Sequence, residues 1–547
     1  MSLKSDSFPS YGTSSDDSKN IKKTDLDLIE STIGNFGTWQ CQISFLLSLL
    51  KFPMAWIQLS IVFLAPPTEF WCRQPEEFKN LTLGKWKQIT SVQPTNNTVN
   101  TEKKISHCNK TMKCPWGYEY NRSQFASTII TEWNLVCNRA HLVELTQVAL
   151  MFGVLLGSII IGLSADKYGR RKILLTSIIL QTLFGFLTAG VPWFGIFTIT
   201  RFLLGFANGG VMVVSFVLCM EIVGGTKWRT AVGIMYQVPF NLGHLSLALI
   251  GYLIRDWHYI SLAVTLPSII LLSYYWIIPE SPRWLLAVGQ TDRAIKVMKK
   301  AAHHNHLPTE TIKDDVSNYL EKGPPIEPKK GELLDLVRTS NMRIKTFCVC
   351  FNWVVCGLCF FGGAQYIGQL GGNIFLNVAM SAVIQVPGTC MSIWLTKTIG
   401  RRYTLMGANI LAGLSFVCIS LVPHDLDWPK ILLGSSGMFG LSLCFPTVYI
   451  YSGELYPTVI RNIGVGTSSM CARIGSMLAP YVAGLALIEP WMPPIIFGVI
   501  PLIGAALCYH LPETLDCKLP ETLEDAELFG KKIRDENKKS HNVLELK

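Results

Sequence analysis

Long apolar stretches separated by short polar segments run along most of the chain, from residue 43 to residue 511. A helix needs about 20 apolar residues to cross the hydrocarbon core of a bilayer. Twelve stretches are long enough: 43–65, 144–164, 172–192, 197–220, 231–254, 258–278, 344–366, 374–396, 402–422, 431–453, 463–487 and 492–511. None alternates polar and apolar residues as the strand of a membrane barrel does. The pattern therefore predicts an all-α membrane protein with twelve transmembrane helices.

The charge of the polar connections predicts the orientation of the chain. "DKYGRRK" (166–172) and "TIGRRY" (398–403) are rich in Lys and Arg, whereas connections on the opposite side carry fewer basic residues. Basic loops stay in the cytoplasm, so we expect both termini on that side of a plasma-membrane protein. The N-terminal segment 1–42 lacks the apolar core of a cleavable signal peptide, so the first span should remain as an anchor.

The composition fits a membrane protein and argues against several other classes. Of the 547 residues, 49% are hydrophobic and 16% are charged. The net charge of +10 is scattered over several loops, which gives no basis for a nucleic-acid partner. We find no phosphate-binding loop, nucleophile motif or zinc-type cysteine spacing, and we expect neither an enzyme nor a cofactor. The "HHNH" tract at 303–306 lies in a lysine-rich segment, and we expect no metal there.

The segment 66–143 is long and polar, and the charge rule places it outside the cell. It holds four Asn-x-Ser/Thr sequons and four cysteines. The sequons predict glycosylation at Asn80, Asn96, Asn109 and Asn121. The cysteines predict two disulfides, with three possible connectivities, among Cys72, Cys108, Cys114 and Cys137.

Several motifs occur twice at an almost constant offset. Glu280 and Glu513 are 233 residues apart, as are Glu221 and Glu454. "GRR" at 169–171 returns at 400–402. The repetition predicts two six-helix halves, 43–278 and 343–511, joined by a cytoplasmic linker (279–342) and followed by a cytoplasmic tail (512–547). Two parallel repeats around a central site are the plan of major facilitator transporters.

Four motifs make the resemblance more specific. "GLSADKYGRR" (162–171) is similar to the signature between the second and third spans of the major facilitator superfamily. Together with "PESPRWL", "GELYPTVIRN" and "LPETLEDAE", the chain resembles the organic cation/carnitine branch of that superfamily over residues 35–530. The large external loop also belongs to that branch.

The resemblance implies a cytoplasmic gate, whose charges hold the two halves together when the cavity faces outward. The matching residues are Gly162, Asp166, Gly169, Arg170, Arg171, Glu221, Arg229, Glu280 and Arg283 in the first half, and Arg401, Glu454, Arg461 and Glu513 in the second. The second copy places Thr396 where the first has Asp166, so we expect a weaker latch there. For the segment 162–171, the alternative is a basic loop that only fixes the topology.

Two basic residues lie at membrane depth without an acid at the same depth. Arg473 lies roughly 15 Å into the eleventh span, near the midplane of a core about 30 Å thick, and Lys51 lies roughly 12 Å into the first. Such charges are costly and indicate function. Arg473 is expected to bind a substrate carboxylate through its two-pronged guanidinium, the alternative being backbone carbonyls or a glutamate at a helix end. For Lys51, substrate binding and snorkelling towards the interface remain equally open.

Aromatic residues on the spans that line the cavity in this superfamily offer a site for an ammonium group. They are Phe216, Tyr236, Trp353, Phe360, Phe445 and Tyr449. Any single aromatic residue in a span is more often a lipid contact or core packing, and it is the set of six that indicates a site. Gln237, Asn241 and His244 form a polar stripe that could contact substrate or the neighbouring span. Carboxylate and ammonium sites together predict a zwitterionic substrate.

The sequence as a whole predicts a secondary transporter that moves small organic ions through a lipid bilayer by alternating access. We expect carboxylate-bearing amines, carnitine-like or β-amino-acid-like, or organic cations. The alternatives are an organic anion exchanger and, from another class, a transport-silent receptor or scaffold. A co-transported ion stays open, with exchange or a sodium-assisted route favoured over proton coupling.

Overall fold

The computed structural model describes residues 28–78, 80–90, 114, 116–321, 332–423, 426–515, 517, 520 and 522–529. Within these ranges the protein is mainly helical, and one two-stranded sheet lies between the first two spans. The predicted glycosylation sites Asn96 and Asn109 and the predicted disulfide residue Cys108 fall outside the described residues.

The first span consists of three short helices, because it is interrupted at Leu50 and Ser60. The elements are α1 (Leu28–Ile33), α2 (Thr38–Leu49), α3 (Lys51–Leu59), α4 (Ile61–Leu64), β1 (Phe70–Cys72), α5 (Leu83–Thr90), β2 (Tyr118–Tyr120), α6 (Ile129–Trp133), α7 (His141–Tyr168), α8 (Arg170–Gly190), α9 (Phe194–Ile222), α10 (Thr226–Met235), α11 (Val238–Leu253), α12 (Trp257–Thr265), α13 (Pro267–Leu271) and α14 (Tyr274–Ile277). Single 3-10 turns lie at Glu76–Phe78 and Cys137–Arg139.

The remaining elements form the linker, the second half and the tail. They are α15 (Pro282–Ala287), α16 (Thr291–His304), α17 (Ile312–Glu321), α18 (Asp335–Arg338), α19 (Ser340–Ile367), α20 (Ile374–Thr398), α21 (Arg401–Ile419), α22 (Asp427–Leu455), α23 (Arg461–Gly484), a 3-10 turn (Leu485–Leu487), α24 (Met492–Cys508) and α25 (Leu523–Leu528).

Each of the twelve predicted apolar stretches falls on a helix or a run of helices. Nine helical segments in the described ranges are long and apolar enough to cross a membrane, and Met492–Cys508 is a shorter apolar helix. The stretch at 231–254 is divided between two helices, Thr226–Met235 and Val238–Leu253, and the stretch at 463–487 contains Arg473. The helices are consistent with the predicted count of twelve spans.

The segment between the first two spans folds around a small antiparallel sheet. β1 pairs with β2, with Trp71 opposite Glu119. A disulfide joins Cys72 to Cys114, and Cys137 is also disulfide-bonded. Of the three connectivities that the sequence left open, the structure has the one that pairs Cys72 with Cys114. We call the end of the helices next to this segment the sequon end, and the end next to the loops 166–172 and 398–403 the basic end.

The linker helices pack against α1 at the basic end. Asn305, at the end of α16, donates to the carbonyl oxygen of Ile33 at 2.9 Å and accepts from the backbone N–H of Trp39 at 2.9 Å. Asn305 belongs to the "HHNH" tract. Its side chain connects the linker to the start of the first span.

Aromatic packing joins the two halves at the sequon end. Phe375, at the start of α20, stacks on Phe63 with 5.7 Å between ring centroids, and lies 5.4 Å from Phe125 and 5.6 Å from Tyr252. Phe63 and Phe125 belong to one buried apolar cluster that draws on both halves, and Phe375 packs against it, whereas Tyr252 is exposed. Towards the basic end the buried residues form two clusters, one in each half. The halves are therefore held together by apolar packing at the sequon end.

Candidate substrate-binding site

A cavity lies between the two halves, and its empty space of about 580 Å³ includes a part that is open to solvent. Its walls come from the first span and from α9, α11, α19, α20, α22 and α23. The lining residues are Lys51, Gln58, Met212, Gln237, Phe240, Asn241, Phe360, Phe361, Thr389, Ser442, Phe445, Pro446, Tyr449 and Arg473. Two of these side chains are cationic and none is acidic. The charged side chains that line the cavity are therefore all basic.

Arg473 enters the cavity from the middle of α23. Its side chain is buried, and Nη2 donates to Met212 Sδ, from the other half, at 3.1 Å. A thioether sulfur is a weak acceptor, and it leaves most of the five guanidinium donors to other partners. Among the described residues, the Arg473 side chain bonds to no backbone carbonyl and to no glutamate, the alternative that the sequence left open.

Lys51 enters the same cavity from α3, at the break in the first span. Its ammonium lies 4.9 Å from the centroid of the Tyr236 ring, and the residue is only 5% exposed. The side chain therefore does not snorkel to an interface in this structure. It brings a second positive charge to the wall of the cavity.

The predicted aromatic residues form one connected cluster, but they play different parts in it. Phe360, Phe445 and Tyr449 line the cavity. Trp353 is fully buried behind Tyr449, at 4.4 Å between ring centroids, and its indole N–H donates to Ser452 Oγ at 2.9 Å.

On the first-half side of the cluster, Phe216 lies 5.6 Å from Tyr236 and 5.8 Å from Tyr449. The Tyr236 hydroxyl donates to Ser215 Oγ at 2.7 Å. Phe216 and Tyr236, like Trp353, are not among the lining residues, so they support the wall from behind.

The polar stripe on α11 faces the other half of the molecule. Asn241 Nδ2 donates to Thr389 Oγ1 at 2.8 Å, and Gln385 Nε2 lies 3.2 Å from His244 Nδ1. The stripe thus ties α11 to α20. Asn241 and Gln237 also line the cavity, whereas His244 lies in the helix interface.

The sequence analysis did not name several lining residues. They are Gln58, Met212, Phe240, Phe361, Thr389, Ser442 and Pro446. Gln58 could have been found, because it lies seven residues after Lys51 and therefore on the same helical face. The others are apolar or small residues typical of any membrane helix, and only the packing of the two halves identifies them.

At the basic end, the two halves carry matching charge clusters. Arg170 pairs with Glu221 at 3.0 Å and with Asp166 at 2.9 Å, and donates to the carbonyl oxygen of Ala165. In the second half, Arg401 pairs with Glu454, also at 3.0 Å. These ion pairs lie within their own half in this conformation. A role in holding the halves together stays a prediction for the state in which the basic ends meet.

The expected correspondence between Thr396 and Asp166 is wrong by one residue. Arg401 Nη1 donates to the carbonyl oxygen of Thr396 at 3.1 Å, just as Arg170 donates to that of Ala165. Thr396 is therefore the counterpart of Ala165, and the exposed Lys397 is the counterpart of Asp166. Arg170 has two acidic partners where Arg401 has one.

Glu280 and Glu513 occupy equivalent places below these arginines. Glu280 accepts from the backbone N–H of Arg171 at 3.0 Å, and Glu513 accepts from that of Arg402 at 3.0 Å. Each carboxylate lies at the N-terminus of a helix, where free N–H groups favour negative charge.

The glycine before each of these helices is required by the same geometry. Gly169 and Gly400 both have φ of +105°, and a Cβ at Gly400 would lie 2.5 Å from Glu513 Oε2.

The remaining predicted gate residues also make contacts inside their own half. Arg283 Nε donates to the carbonyl oxygen of Glu221 at 3.2 Å, and Arg229 Nε to that of Val223 at 2.9 Å. Arg461 Nε donates to the carbonyl oxygen of Tyr456 at 3.3 Å, and Gly162 faces Val213. The sequence identified these positions, and the structure gives most of them a partner at a helix end.

Comparison with known proteins decides the family. The profile described as "Sugar (and other) transporter" matches residues 88–525. The chain is 36% identical to the organic cation transporter protein of Drosophila melanogaster, over 92% of this chain and 95% of that protein. It is 32% identical to organic cation/carnitine transporter 2 of Homo sapiens, over 91% of this chain and 93% of that protein. The chain belongs to the organic cation/carnitine transporter family of the major facilitator superfamily.

The fold agrees with this family. The structure of the xylose transporter XylE from E. coli in its inward open conformation matches with a TM-score of 0.61, at 14% identity, over 89% of this chain and 99% of that one. The protein therefore has the major facilitator fold and is a multi-pass membrane transporter rather than an enzyme. Its relatives carry small organic ions, but the comparisons leave the substrate class of this member open.

Proposed function

We propose that this member of the family carries carboxylate-bearing organic amines across the plasma membrane by alternating access, and that Arg473 binds the carboxylate. The observation that supports this most strongly is a buried arginine in a central cavity whose lining contains no acidic side chain. A guanidinium binds a carboxylate through two parallel hydrogen bonds, which suits a group with several unused donors.

The ammonium of the substrate would lie against the aromatic part of the wall. Phe360, Phe445 and Tyr449 present rings to the cavity from α19 and α22. Aromatic faces attract a primary or quaternary ammonium, especially where water is excluded. Arg473 and the rings thus supply complementary sites for the two charges of a carnitine-like or β-amino-acid-like zwitterion.

Lys51 supports a second candidate, the exchange of organic anions. Two cations in one cavity repel one another unless a ligand brings negative charge, and an anion without an amine would gain from both. A purely cationic substrate would meet only repulsion from them. The cavity therefore favours carboxylates over simple organic cations in either case.

Uptake by proteoliposomes separates these possibilities. We expect one labelled carboxylate-bearing amine to be carried saturably and to be displaced by zwitterions more strongly than by simple cations. Stronger displacement by dicarboxylates than by zwitterions would favour the anion exchanger. The absence of saturable flux with every amine and carboxylate in the panel would favour a transport-silent receptor instead.

The driving ion is proposed on the same grounds. The lining residues include no carboxylate to carry a proton, and His244 lies in the helix interface. We infer facilitated exchange or a sodium-assisted route. Uptake that is unchanged when the pH gradient is collapsed supports this, whereas uptake that requires an inward proton gradient would contradict it.

A further inference from the structure

Two half-buried cysteines face each other where α19 and α23 pack together in the second half. Cys350 lies on α19 and Cys471 on α23, three residues after Ser468. Cys350 Sγ also lies 3.7 Å from Ser468 Oγ, and Cys471 Sγ lies 3.6 Å from the carbonyl oxygen of Thr467. The transport site described above uses neither thiol.

The two helices are in backbone contact one turn further along. A Cβ added to Gly475 would lie 2.5 Å from the carbonyl oxygen of Val354. Cys350 and Cys471 each lie four residues before one member of this pair, so they occupy equivalent positions one helical turn away. A disulfide requires Cα atoms about 4.4–6.8 Å apart, and helices in backbone contact bring facing residues that close.

Exposure and position together distinguish this pair from the other cysteines of the second half. Cys356, Cys444 and Cys508 are buried, whereas Cys350 and Cys471 are both half-buried; Cys390 and Cys418 are also exposed or half-buried, but they lie on other helices, α20 and α21. Oxidation of a thiol depends on access and on a second thiol close enough to trap the first oxidised product. The pair meets both conditions.

We propose that Cys350 and Cys471 form a redox-sensitive dithiol site that peroxide converts into a reversible disulfide between α19 and α23. The two thiols give up two protons and two electrons as the S–S bond forms, and hydrogen peroxide is reduced to two molecules of water. Cys471 lies two residues before Arg473, so the bond ties α19 to the helix that carries the cationic site.

The test uses the purified full-length protein in lipid nanodiscs, treated with hydrogen peroxide and analysed by differential alkylation and mass spectrometry. We expect neither cysteine to be alkylated after oxidation and a disulfide-linked peptide pair containing both to appear. Dithiothreitol should reverse both changes. Cys350→Ser should abolish the linked peptide, whereas Cys418→Ser, at a half-buried thiol on α21, should leave it intact.

A second measurement needs no variant. Phenylarsine oxide bridges two neighbouring thiols with release of one water, so it should protect Cys350 and Cys471 together from later alkylation. If both stay free under peroxide that oxidises the exposed Cys41 and Cys390, or if either links to a different cysteine, the proposal is wrong. Neither measurement depends on knowing the transported substrate.

Discussion

Lys51 and Arg473 line the same buried cavity from opposite halves of the molecule, and no acidic side chain lines it with them. Charges in such a place are retained at a cost of a few kcal/mol or more, because the surroundings solvate them poorly. Under the proposed function, the missing negative charge arrives with the ligand. The predictions below follow from this arrangement and from the charge clusters at the basic end.

The contribution of Lys51 can be separated from that of Arg473. We expect Lys51→Gln to weaken the inhibition by dicarboxylates by at least ~10-fold, because one hydrogen bond to a charged group contributes about 1.5–3 kcal/mol. Inhibition by zwitterions should change less, since their single carboxylate is bound by Arg473. Competition curves against one labelled probe measure both effects, with Lys51→Arg as the charge-conserving control. Equal losses for both ligand classes would show that Lys51 does not discriminate between them.

The ion pair of Arg401 with Glu454 should matter for transport. Both side chains are 17% exposed, so losing one partner leaves a poorly solvated charge. We expect Arg401→Gln to reduce the rate of uptake severely, and the reversed pair Arg401→Glu with Glu454→Arg to restore part of it. Arg73, which pairs with Glu119, is the matched control, because both side chains are exposed (61% and 44%) and exposed pairs contribute about 0–1 kcal/mol. An Arg401→Gln variant as active as Arg73→Gln would refute a role for this cluster.

Gly400 should be required for stability rather than for substrate binding. A side chain there would meet Glu513 and adopt a left-handed backbone, which costs on the order of 1–3 kcal/mol. We expect Gly400→Ala to lower the melting temperature of the purified protein. Gly407, in the following helix, has no atom within 4 Å of an added Cβ, so Gly407→Ala should be neutral or slightly stabilising. Similar melting temperatures for both variants would show that the geometry at Gly400 is unimportant.

Phe375 should help to keep the sequon end closed. Its ring packs on Phe63 from the other half, and on Phe125 and Tyr252. Gln365 is half-buried near the C-terminal end of α19. We expect Phe375→Ala to increase the labelling of a cysteine introduced at Gln365 by an impermeant maleimide added from the sequon side. Phe347→Ala is the control, because that ring is 62% exposed at the opposite end of the molecule. Unchanged labelling in Phe375→Ala would mean that this contact does not set the closure.

Much of the fold could be predicted from the sequence, because lipid imposes a strong rule on length and hydropathy. The same rule identified Arg473, since a helix rises by about 1.5 Å per residue and the charge lies near the middle of its span. The offset between the halves identified Arg170 and Arg401. The same offset identifies Lys397 as the counterpart of Asp166. Lys397 lies three residues before Gly400, and Asp166 lies three residues before Gly169.

The sequence could not show which of the aromatic residues line the cavity. Trp353 and Phe360 are seven residues apart and share a helical face, yet Phe360 lines the cavity and Trp353 is buried against Ser452. The difference arises from depth along α19 and from the packing of α22. The direction of Lys51 depends in the same way on the break in the first span, which hydropathy does not reveal.

The central claim is that Arg473 binds the carboxylate of the substrate. It is tested most directly by comparing the inhibition by two ligands, with and without a free carboxylate, in two proteins, with and without Arg473. Carnitine and its methyl ester differ in the carboxylate charge, and each competes against one labelled probe in the wild-type protein and in Arg473→Gln. Arg139→Gln, at an exposed arginine near the sequon end, controls for nonspecific loss of charge. We predict that the wild-type protein and Arg139→Gln prefer the carboxylate by about 10- to 100-fold, and that Arg473→Gln loses this preference. An unchanged preference in Arg473→Gln would contradict the account.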